Sequence, residues 1–226
     1  MLPRVLESPK LSRRLFWVIV GSCVGLFALA AAASLVWRSP TQTLMEDGRL
    51  LRTLALEALL ALAWFPVLGR RGWSLRCVTV PAEALDVARA VGLVVAWYAA
   101  YWSAFVLAFV ALPTFGETVR SMQVGGKLSW WVIILMSVFN PLAEEFLYLG
   151  FITNVMAREG FQVALLAGIL ARVLVHVYQG PAGLISAIAV GVVFGTYYLR
   201  SGRLWPVVAA HALADLLTLG RLAGAA

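Results

Sequence analysis

Ionisable side chains that could activate a water molecule lie inside long apolar stretches of this sequence. Glu144 and Glu145 are adjacent in one stretch, and the only two histidines, His176 and His211, lie in two others. Placing one such group in hydrocarbon costs about 2.5–3.5 kcal/mol on insertion scales. Carboxylates and imidazoles are also the groups that most often move protons in hydrolytic catalysis. The sequence therefore predicts a functional site inside a membrane, and these residue types favour hydrolysis.

The spacing of the charged residues indicates how they could be arranged. Asp215 follows His211 by four residues, so both side chains lie on the same face of a helix. This pair could fix the tautomer of the imidazole or present two polar groups to a substrate. Glu144 and Glu145 point about 100° apart around their helix. We expect one glutamate to face the reacting centre and the other to make a supporting contact.

The composition of the chain is that of a polytopic membrane protein. Of the 226 residues, 62% are hydrophobic and only 13% are charged, whereas a soluble domain is about half apolar and a quarter charged. The formal charge of +7 does not indicate a nucleic-acid partner, because the basic residues are scattered between apolar runs. Cys23 and Cys77 give neither a disulfide framework nor a metal-binding spacing.

Hydrophobic runs predict an all-α membrane bundle of about seven transmembrane helices. The predicted spans are residues 15–36, 50–68, 87–112, 128–156, 161–178, 182–199 and 204–219. The first run is longer than the core of a secretory signal, so we interpret it as a retained span. With the amino terminus in the cytoplasm, eleven of the 18 basic residues lie on the cytoplasmic side and six on the other. This bias predicts that orientation.

Four segments follow from this layout. They are a basic cytoplasmic tail (1–14), a region of three spans (15–127), a bundle with the candidate site (128–219) and a carboxy-terminal tail (220–226). The fourth, fifth and seventh spans are expected to enclose one polar cavity. The abundance of Ala, Leu, Val and Arg, with only two Lys, is typical of a GC-rich bacterial genome. We therefore expect an integral protein of the bacterial inner membrane.

Two further features lie inside the predicted spans. Pro141, preceded by Asn140, invites a kink in the fourth span, because proline removes one backbone donor. Glu57 interrupts the second span and needs an interior partner or a cavity. We interpret Glu57 as a packing or cavity residue rather than as a member of the site.

Three segments of the bundle carry a family resemblance. They are Asn140 to Gly150 (NPLAEEFLYLG), His176 to Pro181 (HVYQGP), and Phe194 to Pro206 followed by the HALAD of 211–215. They resemble the EExxxR, FxxxH and HxxxN or HxxxD motifs of the CPBP family. This family comprises the CAAX-type and bacteriocin-processing intramembrane endopeptidases and is also called Abi. The order, spacing and membrane context of the three motifs make the resemblance specific.

The resemblance implies catalytic roles for residues at the motif positions. Glu144 would be the general base that activates water, and His176 would orient and polarise that water. His211 and Asp215 occupy positions associated with stabilising the developing oxyanion. An ionised Asp215 cannot donate a hydrogen bond as asparagine does, so it would have to be protonated or act by orienting His211. Glu145 completes the set of catalytic candidates.

Two residues depart from the family motifs. Leu149 replaces the motif arginine, and Arg172 replaces the phenylalanine four residues before His176. Both positions lie one turn to the cytoplasmic side of a site residue, on helices that run in opposite directions. We hypothesise that Arg172 supplies the missing guanidinium, pairs with Glu145 and leaves Glu144 as the base.

The resemblance implies an intramembrane endopeptidase that cuts near the end of a protein or peptide substrate. Carboxy-terminal sorting signals and prenyl-type tails are both open as substrates. A catalytically silent relative that acts as an immunity or binding protein is the alternative, which Leu149 supports. A proton-coupled transporter is a third function, although no inverted repeat is found.

Zinc could be bound, but without a short ligand spacing we favour a glutamic-type peptidase with no cofactor. The expected partners are the substrate and membrane lipid, not nucleic acid.

Overall fold

The computed structural model describes residues 9–37, 45–120 and 128–224. Regular structure in these ranges is entirely helical, which confirms the predicted fold class. The helices are α1 (Arg13–Trp37), α2 (Asp47–Arg70), α3 (Leu85–Ala111), α4 (Phe115–Arg120), α5 (Trp130–Glu145), α6 (Asn154–Met156), α7 (Phe161–His176), α8 (Gly180–Ser201) and α9 (Trp205–Gly224). Most of the predicted basic tail (1–8) and the last two residues of the predicted carboxy-terminal tail lie outside the described ranges.

Six helical segments in the described part of the chain are long and apolar enough to cross a membrane. The longest of these, 161–201, contains two of the seven predicted spans, α7 and α8, joined by a short 3₁₀ turn. A Cβ atom on Gly191 would lie 2.8 Å from Ile169, and one on Gly195 would lie 2.7 Å from Leu165. The later position on α8 faces the earlier position on α7, so the two helices form an antiparallel hairpin. The glycines have no side chains, which allows the two helices to lie close together.

The fourth predicted span changes its winding just after the two glutamates. Helix α5 continues as α-helix through Pro141, where the sequence suggested a kink. The change comes later, in a π-helical segment from Phe146 to Thr153, and α6 and a 3₁₀ turn at Ala157–Glu159 complete the span. In π winding each backbone hydrogen bond reaches one residue further, and such segments are frequent at functional sites. The winding directs the side chains that follow Glu145 differently from a regular helix.

Two apolar clusters lie on either side of the region that holds the glutamates. One joins α3, α8 and α9 around Phe194 and includes Leu149 from the π-helical segment. The other joins α1, α7 and the π-helical segment, with Ile19 and Tyr148 among its buried members. Helix α2 is less buried: its one buried residue, Leu50, packs in a third cluster with Val132 and Ile133 of α5, and its partly buried Leu60, Trp64 and Leu68 pack against the second cluster. It therefore stands beside the bundle and forms the outer wall of a cavity.

The connection between α2 and α3 is bound to the second half of the chain. Asn154 donates a hydrogen bond to the carbonyl of Cys77 (2.7 Å), and Tyr198 donates one to the carbonyl of Val78 (2.8 Å). The backbone N–H of Leu204 donates to the Thr79 hydroxyl oxygen at 3.0 Å. These bonds fix the amino-terminal region on the bundle that carries the predicted site.

Candidate active site

The six residues predicted for the site lie in one cluster formed by α5, α7 and α9. At its centre, Arg172 donates from Nη2 to both carboxylate oxygens of Glu145 at 2.8 Å. Both side chains are buried, with exposed fractions of 3% and 0%. Nη1 of Arg172 also donates to Glu144 Oε2 at 3.3 Å. The hypothesised pairing of Arg172 with Glu145 is therefore present, and the same guanidinium also contacts Glu144.

The Glu145 carboxylate forms hydrogen bonds with two side chains. Its Oε1 also contacts His211 Nδ1 at 2.6 Å, in addition to the two hydrogen bonds from Arg172. Tyr148 covers the guanidinium, whose carbon lies 4.5 Å from the centre of the tyrosine ring. A carboxylate with this set of donors is stabilised in its ionised form and is positioned by three helices. Because Glu145 has no exposed surface, its geometry suits support better than contact with a substrate.

His211 links Glu145 to Asp215. Its Nε2 lies 3.6 Å from Oδ1 of Asp215, one turn further along α9, as the spacing of four predicted. Asn140 of α5 lines the same cavity wall as Asp215. Since Nδ1 donates to Glu145 and Nε2 faces a second carboxyl group, an imidazolium at His211 would lie between two carboxyl groups that stabilise its charge.

His176 faces Glu144 with one ring nitrogen and the backbone with the other. Nδ1 lies 2.8 Å from the carbonyl oxygen of Arg172, and Nε2 lies 3.8 Å from Glu144 Oε1. A carbonyl oxygen can only accept, so Nδ1 carries the hydrogen. In the neutral ring, Nε2 then has a free electron pair that can accept a hydrogen bond from water. This tautomer is the one that orients a water molecule beside Glu144.

A cavity of about 620 Å³ opens on this cluster. Its wall contains Glu144, His176, His211 and Asp215, together with Glu57 from α2. Glu145 and Arg172 do not line it; they lie behind the wall. Helices α1 and α2 also contribute, so the cavity is built by more spans than the predicted fourth, fifth and seventh. Sequence reasoning left Glu57 out of the site, although a charge in an apolar run was the signal that required a cavity.

The cluster fits a zinc ion poorly. Glu144, Glu145 and His211 form the one group, within the described ranges, whose ligand atoms all lie within 4.8 Å of each other. The guanidinium of Arg172 already donates to both of these carboxylates. A metal ion there would lie beside a fixed positive charge and would have to break the contact between Glu145 and His211. We therefore derive no chemical step from a metal ion.

A family model described as type II CAAX prenyl endopeptidase Rce1-like matches residues 126–217. The matched segment contains all six residues of the cluster and confirms the predicted family resemblance there. It does not include α1, α2 or α3. In comparisons with curated proteins and with solved structures, nothing matches the chain.

Proposed function

We propose that the protein is an intramembrane endopeptidase that hydrolyses a peptide bond near the end of a protein or peptide substrate. The observation that carries this proposal is the position of Glu144 and His176 on the cavity wall, with 3.8 Å between Oε1 and Nε2. A water molecule beside both atoms would have one proton acceptor and one orienting group. The Rce1-like family match supports the same class of enzyme.

In the proposed reaction, Glu144 removes a proton from water while the water oxygen attacks the carbonyl carbon of the scissile bond. His176 accepts the second hydrogen of the water at Nε2 and so directs its electron pair. His211 donates from Nε2 to the oxyanion that forms, as an imidazolium whose charge Glu145 and Asp215 stabilise. Collapse of this intermediate breaks the C–N bond, and the proton held by Glu144 passes to the leaving amine.

Arg172 and Glu145 are proposed to act as positioning residues. The guanidinium contacts both glutamates, so it holds the Glu144 carboxylate at a fixed place on the wall. The carbonyl of Arg172 fixes the tautomer of His176. One residue thereby positions both groups that would handle the water. We further propose a bacterial inner membrane as the location, with the amino terminus in the cytoplasm, on the basis of the distribution of basic residues.

The test compares protein termini in cells that produce the wild type or Glu144→Gln. The amide keeps the size of the side chain but cannot take a proton from water, so Glu144-dependent termini should disappear. Glu117→Gln, at an exposed carboxylate on α4, is the matched control. Equal sets of termini at normal protein levels would contradict the peptidase and favour the silent binding protein.

A second measurement addresses the metal-free mechanism. Zinc content of the purified active protein should be well below one ion per chain, and a chelator should leave cleavage unchanged. One zinc per chain, together with loss of cleavage on chelation and recovery on zinc addition, would contradict this mechanism without contradicting the peptidase.

A further inference from the structure

Glu57 is the acidic residue of the cavity wall that the proposed reaction does not use. Its Oε2 is buried and has no hydrogen-bond partner within the part of the chain that the structure describes. The other two carboxyl groups of the wall have contacts: Glu144 with Arg172, and Asp215 with His211. Glu57 is therefore available to accept a hydrogen bond from a bound molecule.

An unpartnered carboxylate oxygen in a buried position is unfavourable for the protein alone. Removing a hydrogen-bond acceptor from water without supplying a donor destabilises the folded state. A ligand that brings an N–H donor removes this cost when it binds. Binding then gains from both the new hydrogen bond and the relief of the unpaired group.

The side chains that α2 contributes to the cavity wall change in polarity at Glu57. Arg49, Thr53 and Glu57, spaced by four residues, line the cavity from the start of the helix to its middle. Beyond Glu57 the same wall is apolar and contains Leu60 and Trp64. Leu50 and Leu56 also line the half before Glu57, so Glu57 is the last polar residue of α2 before its cavity wall becomes entirely apolar. The stem of a long basic side chain can cover apolar surface while its charged end binds a carboxylate.

We propose that Glu57 binds a lysine or arginine side chain of the peptide substrate, close to the bond that is cut. This inference rests on the proposed peptidase function and adds a specificity-determining residue to it. Three acidic residues (Glu57, Glu144 and Asp215) line the cavity, and Arg172 lies behind the wall. Two basic residues, Arg52 and Arg49, also line the cavity, five and eight residues before Glu57 on α2. The cavity of about 620 Å³ has room for such a side chain together with its neighbours in the peptide. Helix α2 lies outside the segment matched by the family model, so this subsite belongs to the other part of the chain.

The test uses the full-length protein in lipid nanodiscs and a pool of short random-sequence synthetic peptides, with new termini identified by mass spectrometry. Wild-type protein should enrich lysine and arginine at one fixed position relative to the cut. Glu57→Gln should lose this enrichment while still cutting peptides that lack a basic residue there. Glu57→Lys should enrich aspartate and glutamate at the same position. Glu117→Gln, which changes an exposed carboxylate outside the cavity, should behave as the wild type.

A kinetic comparison separates binding from folding effects. In the best-cut peptide, the preferred lysine is replaced by norleucine, which keeps the stem and removes the charge. This change should lower kcat/KM about tenfold or more for the wild type, mainly through KM, and should have no effect on Glu57→Gln.

The possible results distinguish the two proposals. Cleavage that depends on Glu144 but shows no basic preference in the wild type would overturn the Glu57 subsite and leave the peptidase intact. A basic preference that persists in Glu57→Gln would overturn it as well. No difference between wild type and Glu144→Gln would overturn the peptidase and, with it, this subsite.

Discussion

At the scale of single residues, the two adjacent glutamates have different surroundings although the sequence presents them as equals. Glu145 is fully buried and bonded to Arg172 and His211, whereas Glu144 lies on the cavity wall. The angle between neighbouring helix positions predicted this division. Which glutamate faces which way depends on the helices packed around them, and the sequence contains that information only through the family resemblance.

This division predicts unequal effects on stability. Glu145→Gln removes the charge that Arg172 and His211 contact in the interior, and breaking a buried pair in this way costs about 3–5 kcal/mol. Glu144→Gln loses one longer contact at a partly exposed site, so it should lower the free energy of unfolding by much less. Unfolding of both variants in detergent provides the measurement. Equal losses would show that Glu145 does not support the cluster.

Glu57 on α2 lines the cavity, although the sequence did not predict it as part of the site. Glu57 was recognised as a charge that needs a partner or a cavity, and the structure supplies the cavity. Its nearness to the site could not be predicted, because α2 is remote in sequence from the three motifs and has no pattern that pairs it with α5 or α9. The convergence of the six predicted residues, in contrast, was expected from residue type, depth and motif spacing.

At the scale of elements, an arginine on α7 contacts the glutamates of the fourth predicted span. Leu149 is buried in the apolar cluster around Phe194, and Arg172 approaches the glutamates from the neighbouring helix. This contact was predictable because α5 and α7 run in opposite directions and bring Arg172 to the depth of the glutamates, whereas the replacement of a motif arginine at Leu149 stays a hypothesis. The π-helical segment was not predictable, since a continuous apolar run fits α and π winding equally well.

Placing an arginine at position 149 instead of position 172 tests whether the two positions are equivalent. Arg172→Phe leaves Glu145 without its guanidinium and should destabilise the protein by about 3–5 kcal/mol. Adding Leu149→Arg in the same chain places a guanidinium one turn from Glu145 and should recover part of the loss, in both unfolding and cleavage. Leu149→Arg alone is the control. A double variant no better than Arg172→Phe would mean that the two positions are not equivalent.

The α7–α8 hairpin permits a second test at this scale. A Cβ atom on Gly191 would lie 2.8 Å from Cγ1 and 3.3 Å from Cα of Ile169, so Gly191→Ala forces two backbones apart. Overpacking of this kind costs about 1–3 kcal/mol. Gly92→Ala on α3 has no atom within 4 Å of its Cβ and should be neutral or slightly stabilising. Similar stability of the two variants, measured by unfolding in detergent, would contradict the close packing.

At the scale of the whole molecule, the amino-terminal and carboxy-terminal parts are joined by polar contacts outside the spans. Besides the hydrogen bonds to residues 77–79, Arg203 bonds to the Glu83 carboxylate from the turn between α8 and α9. Arg89 reaches the same carboxylate at 3.0 Å. The long apolar helices were predicted from hydropathy alone, whereas the short helices α4 and α6 were not. These cross-connections were not, because they join loops that have no periodic pattern.

The Glu83 contacts predict a dependence of stability on pH. Hydrogen bonds from Arg203, then Arg89, hold the pKa of Glu83 below its usual value of 4.5. The folded state therefore gains stability from this group above the ordinary pKa, and the gain is lost as the pH falls through the lowered one. Melting temperatures of wild type and Glu83→Gln should differ at pH 7 and converge in acid. A constant difference across this range would contradict the ionised contact.

The contacts of Arg172 with Glu144 and Glu145 also predict an order of events during membrane insertion. The fourth predicted span enters the bilayer with two uncompensated carboxylates, and the arginine that contacts both is 27 residues beyond Glu145 along the chain. A ribosome-bound chain that ends before α7 should therefore remain extractable from the translocon, because each acid penalises release into lipid. Chains long enough for residue 172 to have left the ribosome should become resistant to extraction, and a photo-crosslinking series of arrested lengths would locate the change. Early resistance, before residue 172 emerges, would contradict this sequence.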